Sequence, residues 1–173
     1  TIITSEDTLS NLTFLDRDMD GKQEVSVSSF DIGISQIVGA LLSGSIDQDV
    51  LIFSMDENNL FGEKPLVSQE VEITFSLSSG SRGQPLVRMI DINGDTIKDI
   101  VYSDGEDMIR ALIATPDQKK PYANHSLRQK IAMPKNPFNA ATEDLNADGK
   151  LDLVLHHGPA DSSELLKRVL ILI

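Results

Sequence analysis

Three short stretches of the chain carry oxygen ligands at alternate positions. They are DRDMDGKQE from Asp16, DINGDTIKD from Asp91 and DLNADGKLD from Asp144. Aligned on the first Asp, all three follow D-x-[DN]-x-D-x-x-x-[DE]. So many oxygens at a two-residue step on a tight loop suit a hard cation, and Ca²⁺ takes about six to eight oxygens. In loop one the candidate ligands are the side chains of Asp16, Asp18, Asp20 and Glu24 and the backbone carbonyl of Lys22. In loop two they are Asp91, Asn93, Asp95 and Asp99 with the carbonyl of Ile97, and in loop three Asp144, Asn146, Asp148 and Asp152 with the carbonyl of Lys150. Gly21 and Gly149 stand at the sixth position, where a sharp turn with positive φ costs a glycine little. Loop two has Thr96 there, with Gly94 two residues earlier. It is therefore expected to be the weakest of the three.

The electrostatics favour the same reading. Carboxylates crowded into one loop repel one another unless a cation neutralises them. The chain carries a net charge of −12, and one Ca²⁺ in each loop would bring it to −6. The plain alternative is three acidic surface turns, since Asp, Asn and Gly are common turn formers. Recurrence at the same kind of junction argues for metal. An EF-hand needs a bidentate Glu at position twelve and a helix after it. Position twelve is Val27, Tyr102 and Leu155, and none of these can ligate.

Each loop is followed by an apolar run, VSV, IVY or LVL, and preceded by LTFL, LVRMI or the weaker FNAATE. The first Asp residues are 75 and then 53 positions apart. Most of the difference is an insert, FDIGISQIVGALLSGSIDQ, whose Phe30, Ile34, Ile37, Val38 and Leu41 sit at helical spacing. Without it, each unit reads as a set of short strands bounded by Gly, Asn, Asp, Ser and Pro. Unit one is LTFL, EVSV, DVLIFS and VEITFSL, and unit two is LVRMI, DIVYS, MIRALIA and RQKIAM. Unit three is FNAAT, LDLVLH and RVLILI, without a fourth strand, and TIIT at the start reads as a stray outer strand. Four-stranded units in radial array are the blades of a β-propeller. The expected fold is thus all-β: about three antiparallel four-stranded blades, with one short helical insertion near residues 30–44. The whole chain, 1–173, reads as one propeller segment with approximate repeats at 10–78, 85–134 and 138–173. Closed propellers have about four to eight blades, so the expectation is a fragment of a longer array, or copies that assemble to close a ring. The start at Thr1 without Met suggests processing or excision.

DRDMDGKQEVSV, DINGDTIKDIVY and DLNADGKLDLVL resemble the FG-GAP/VCBS repeats of integrin-α-like β-propellers. The resemblance runs from about Leu12 to Ile173 and is specific in the ligand loops. It implies calcium in the hairpin loops of successive blades, here two to three ions. It also implies a secreted or cell-surface protein that serves adhesion, ligand recognition or scaffolding and binds a protein or carbohydrate. An accessory carbohydrate-binding module of a larger extracellular enzyme and a structural spacer are the alternatives. The Phe-Gly…Gly-Ala-Pro signature does not precede the loops, which favours the looser VCBS-like class over integrin-type adhesion.

The remaining features narrow the function. The negative charge argues against nucleic acid or anionic lipid as partner, and no apolar run approaches the roughly 20 residues that span a bilayer. With no cysteine, disulfides and thiolate metal sites are excluded. No nucleophile elbow or phosphate loop occurs, and the acidic residues are assigned to the loops, so no catalytic residues are expected. The helical insert should pack on its own sheet. His156 and His157 should point to opposite faces of a strand. Ser78–Gln84 reads as a flexible loop, and 118–130 as a basic, solvated stretch.

Overall fold

The structure, a computed structural model, describes residues 2–31, 33–74, 86–117 and 120–173. Among them are eleven strands and one α-helix, arranged as three antiparallel sheets. Sheet one contains β1 (Thr8–Leu15), β2 (Glu24–Phe30), β3 (Ser45–Phe53) and β4 (Val67–Thr74), paired in that order, with α1 (Ile34–Ser43) between β2 and β3. Sheet two repeats the pattern with β5 (Val87–Ile90), β6 (Asp99–Ser103), β7 (Met108–Leu112) and β8 (Leu127–Lys130). Sheet three has β9 (Ala140–Glu143), β10 (Asp152–His156) and β11 (Val169–Leu172), with β10 in the middle. Each sheet is a meander in which strands adjacent in sequence are adjacent in space.

The sheets stack face to face. Residues alternate between the two faces of a strand, so β6 sends Ile100 and Tyr102 one way and Val101 the other. Ile100 and Tyr102 meet Val50, Ile52, Val67 and Val71 of sheet one. Val101, with Ile90, Ile109 and Ala111, meets Leu153 and Leu155 of sheet three. A strand covered on both faces reads as a continuous apolar run, which is why DIVYS shows no polar alternation. β2 is also covered on both sides, with all six residues from Glu24 to Ser29 buried. Its Val25 and Val27 lie with Phe53 under Ile3, Leu9 and Phe61.

The observed strands differ from the expected ones at their ends. β4 begins at Val67, four residues before the apolar VEITFSL, because Val67–Thr74 pairs along residues 45–52 of the long β3; residues 75–77 lie outside the described set. β7 stops at Leu112, and Ala114 forms an isolated bridge to Tyr122. The matching connection in sheet one has the same device, Met55 bridged to Phe61. Residues 2–4 form no strand; Ile3 instead packs on the open face of sheet one. Residues 78–84 and 118–119 fall outside the described residues.

The helix insertion is present, and it ends on Gly44 at φ +74, whose N–H bonds Ala40 O. Its packing corrects the expectation. Ala40 is the buried residue of the helix, while Ile34, Ile37, Val38, Leu41 and Leu42 are exposed. Gly44 allows an abrupt return into β3, and the helix leaves most of its apolar side chains in solvent. His156, the last residue of β10, is exposed, and His157, just past the strand, is buried.

Substituting Ile100→Ala, at the centre of the contact between sheets one and two, should cost about 2–5 kcal/mol in urea unfolding. The exposed helix substitution Leu42→Ser should stay within roughly 0.5 kcal/mol.

Candidate metal centre

The three acidic loops occupy one place in the fold. Each joins the first strand of its sheet to the second. Asp16, Asp91 and Asp144 directly follow the ends of β1, β5 and β9, while Glu24, Asp99 and Asp152 are the first residues of β2, β6 and β10. Register fixes this closure, because Leu15 pairs with Glu24, Ile90 with Asp99 and Glu143 with Asp152.

The loops also share one backbone path. The fourth position is left-handed in all three, at Met19 (φ +58), Gly94 (φ +80) and Ala147 (φ +59). So is the sixth, at Gly21 (φ +85), Thr96 (φ +73) and Gly149 (φ +85). Thr96 therefore adopts the conformation that glycine adopts in the other loops, which a β-branched residue does at a cost.

The same hydrogen bonds hold each path. The sixth N–H, of Gly21, Thr96 or Gly149, donates to Oδ2 of the first Asp at 3.1, 2.7 and 3.0 Å. The seventh N–H, of Lys22, Ile97 or Lys150, donates to Oδ1 of the fifth-position Asp at 2.7, 2.8 and 2.9 Å. The second N–H, of Arg17, Ile92 or Leu145, reaches across to the ninth-position carboxylate. It donates to Glu24 Oε2 at 2.6 Å, Asp99 Oδ2 at 3.0 Å and Asp152 Oδ2 at 2.9 Å. Side-chain carboxylates thus replace the missing strand ladder over the tight turn, as Asx turns do.

The loops differ in what remains for a ligand. In loop one, Asp16, Asp18 and Glu24 each place an oxygen within 4.8 Å of the others. Asp16 Oδ1 is buried and has no hydrogen-bond partner among the described residues. A buried carboxylate oxygen without a donor is costly, and a cation bound by the three would remove that cost. Asp20 is exposed and accepts the Lys22 N–H. In loops two and three the third position is an amide. Asn93 Nδ2 donates to Asp95 Oδ2 at 2.9 Å, and Asn146 Nδ2 to Asp148 Oδ2 at 3.2 Å. Asp99 is the most committed carboxylate of all. It is fully buried, and its Oδ1 takes the Ala114 N–H at 2.7 Å while Oδ2 takes that of Ile92.

Burial raises the pKa of Glu24, with the charges of Asp18 and Asp20 adding to the rise and the Arg17 N–H opposing it. Asp99 is likewise raised by burial, against the N–H donors of Ala114 and Ile92, with a further rise from Asp95 and Asp91. Both are sites where negative charge is held at a cost.

Successive loops touch. The eighth N–H of loop two, Lys98, donates to Arg17 O at 2.9 Å, and that of loop three, Leu151, donates to Asp91 O at 3.2 Å. The three loops therefore lie in a row along one end of the stacked sheets.

Arg17 is the neighbour of the loops that reading the motifs did not single out. It is buried at the second loop position, its guanidinium lies 4.9 Å from the Tyr122 ring centroid, and Nε donates to Tyr122 Oη at 3.2 Å. Nη2 donates to Pro121 O at 2.6 Å and Thr115 O at 3.3 Å. Loop one is thereby clamped to the β7–β8 connection of sheet two. The available signal was the alignment itself, where Arg17 replaces the apolar Ile92 and Leu145 of the other loops.

Arg17→Met should destabilise the chain by about 1–3 kcal/mol, since it removes the guanidinium's hydrogen bonds to Thr115 O, Pro121 O and Tyr122 Oη. Thr96→Gly should raise stability by roughly 0.5–1 kcal/mol, because relief of left-handed strain exceeds glycine's entropy cost. Both follow from urea melts.

No protein-family model, no curated protein and no solved structure matches this chain.

Proposed function

We propose that the chain is a calcium-binding β-propeller repeat segment of the FG-GAP/VCBS type, from a secreted or cell-surface protein. Its role is adhesion, ligand recognition or scaffolding. The observation that carries the reading is that three separate loops share one conformation and one set of hydrogen bonds. Each joins the first two strands of a sheet, and in loop one Asp16, Asp18 and Glu24 converge. In loop one the cation would be held by Asp16, Asp18, Asp20, Glu24 and the carbonyl of Lys22. Loops two and three would use the matching residues from Asp91 and Asp144. The ion supplies charge neutralisation and a rigid link between two strands, and no chemistry on a substrate is required of it. The chain's own groups orient the carboxylates through backbone N–H donors, so folding prepays part of the ordering of the site.

In this reading the three stacked sheets are successive blades, and calcium is linked to folding because it binds the folded loop. Among the described residues no helix is long and apolar enough to cross a membrane. Protein or carbohydrate ligands would meet the loops between strands.

A thermal melt in millimolar CaCl₂ against excess EDTA tests the reading, paired with calorimetric titration for stoichiometry. The expected result is two to three bound ions and a calcium-dependent rise in Tm that EDTA reverses, with about 2.7 kcal/mol gained per site at a hundredfold excess over Kd. Equal melts with no heat of binding would leave the loops as acidic turns.

Glu24→Gln should act with opposite signs in the two conditions. Folding raises the Glu24 pKa above its ordinary 4.5, so the charged form is disfavoured in the fold at neutral pH. That penalty fades as pH falls through the raised value. In EDTA at pH 7 the variant should therefore melt a few degrees higher, by about 2–4 °C for each kcal/mol relieved. In calcium it should melt lower and bind one ion fewer. A variant that melts lower in both conditions would contradict the charge argument.

A further inference from the structure

The charge of the chain is gathered at one end of its sequence. Residues 1–74 hold 14 of the 27 acidic residues and 3 of the 15 lysines and arginines, a net of −11, while the rest of the chain nets −1. Sheet one therefore carries nearly all of the excess. Within it no Lys or Arg occurs from Gln23 to Glu63, the stretch that contains β2, α1 and β3. The helix interrupts this acidic surface, since no residue from Gly33 to Ile46 is charged and the flanking charges are Asp31 and Asp47. We infer that the exposed face of α1 docks an amphipathic helix of a partner protein, whose apolar stripe is edged by Lys and Arg.

The first support is the orientation of α1. At 3.6 residues per turn Ile34, Ile37, Val38, Leu41 and Leu42 form one stripe. Such a stripe ordinarily faces the core. Here α1 rests against β3, and its buried residue is Ala40, which lies off the stripe. The stripe itself is in solvent, with Ile34 83% and Leu42 85% exposed. A contiguous exposed apolar patch marks an interaction surface. The i, i+3, i+4, i+7 spacing of Ile34, Ile37, Val38 and Leu41 is the pattern by which helices pack on one another.

The second support is charge complementarity. Beyond the helix, β3 and β4 place Asp47 opposite Glu72 and Asp49 opposite Glu70. Like charges opposite one another in a strand pair are destabilising. Among the described residues none of Asp31, Asp47, Asp49 and Glu70 is in an ion pair. A second copy would bring another −11 to the contact, and an anionic lipid surface would be repelled in the same way. A basic helix answers both features. Its leucines cover the stripe, and its Lys and Arg stems lie along the margin with their heads toward the carboxylates. The inference goes beyond the calcium reading and does not depend on it, because one Ca²⁺ in loop one would change −11 to −9 and leave the attraction in place.

The probe is a fluorescently labelled helical peptide, two copies of Lys-Leu-Ala-Lys-Leu-Leu-Lys in tandem, titrated with the full chain and read by anisotropy. Titrations run both in EDTA and in millimolar CaCl₂, and saturable one-to-one binding is expected in both. Binding should weaken at least about tenfold in Leu42→Ser, which removes an apolar anchor at an exposed position. Asp47→Asn should weaken it roughly threefold, and added salt should do likewise. Glu143→Gln, which removes the same charge from sheet three, should leave it unchanged. Four results would overturn the inference. They are no binding in either condition, equal binding of a peptide with the same composition and its leucines spread around the helix, a chain dimer in light scattering that Leu42→Ser dissociates, and capture of the chain by phosphatidylcholine vesicles that Leu42→Ser abolishes. The last two would assign the face to a second copy or to lipid.

Discussion

One hydrogen bond recurs at the root of every sheet. The second residue of each acidic loop gives its backbone N–H to the carboxylate that begins the next strand: Arg17 to Glu24, Ile92 to Asp99, Leu145 to Asp152. This bond closes an eight-residue span into a turn tight enough for the strands on either side to pair from their first residue. Shifting the register of either strand by one would turn the carboxylate to the opposite face and expose the apolar run behind it. Loop conformation, strand register and core composition are therefore one constraint.

The cost of that arrangement is charge. Glu24 and Asp99 are buried carboxylates with raised pKa values, and Asp99 meets its burial with two backbone donors. Glu24 meets it with one donor from Arg17 while Asp16 Oδ1 nearby has none. Loop two balances its carboxylates largely through the protein's own N–H groups, and loop one leaves more for an external cation. The two loops share one motif, but loop two adds the Ala114 donor to Asp99 and carries Asn93 where loop one has Asp18.

The sheets are coupled beyond their apolar contacts. Arg17 carries a positive charge from loop one into the β7–β8 connection, stacked on Tyr122 and bonded to two carbonyls. Lys98 and Leu151 link the loops to each other through the backbone. A change in one loop therefore bears on its neighbour, and rigidity in the row of loops is shared. The opposite end of sheet one, away from the row of loops, has no such clamp among the described residues. There α1 joins β2 to β3 with its apolar side chains in solvent.

Much of this was legible in the amino-acid order. Alternating oxygens before an apolar run located three hairpins, because a turn rich in Asp, Asn and Gly must precede a buried strand. Apolar runs such as IVY and LVL marked the strand after each loop; β6 is covered on both faces, whereas β10 leaves Val154 half-buried and His156 exposed. The helix was legible from its 3.6-residue spacing, but the direction of its apolar face was not. That depends on the abrupt turn at Gly44 and on whether a sheet face is free to receive it. The start of β4 at Val67 was hidden because Ser68, Gln69 and Glu70 are polar, and their strand conformation comes from pairing with β3. The ends of strands and the burial of Arg17 were decided in the same way, by partners far away in sequence. Local order sets which residues can turn, pair and carry charge. Only the stacking of the sheets decides which carboxylates lose water and which arginine is buried.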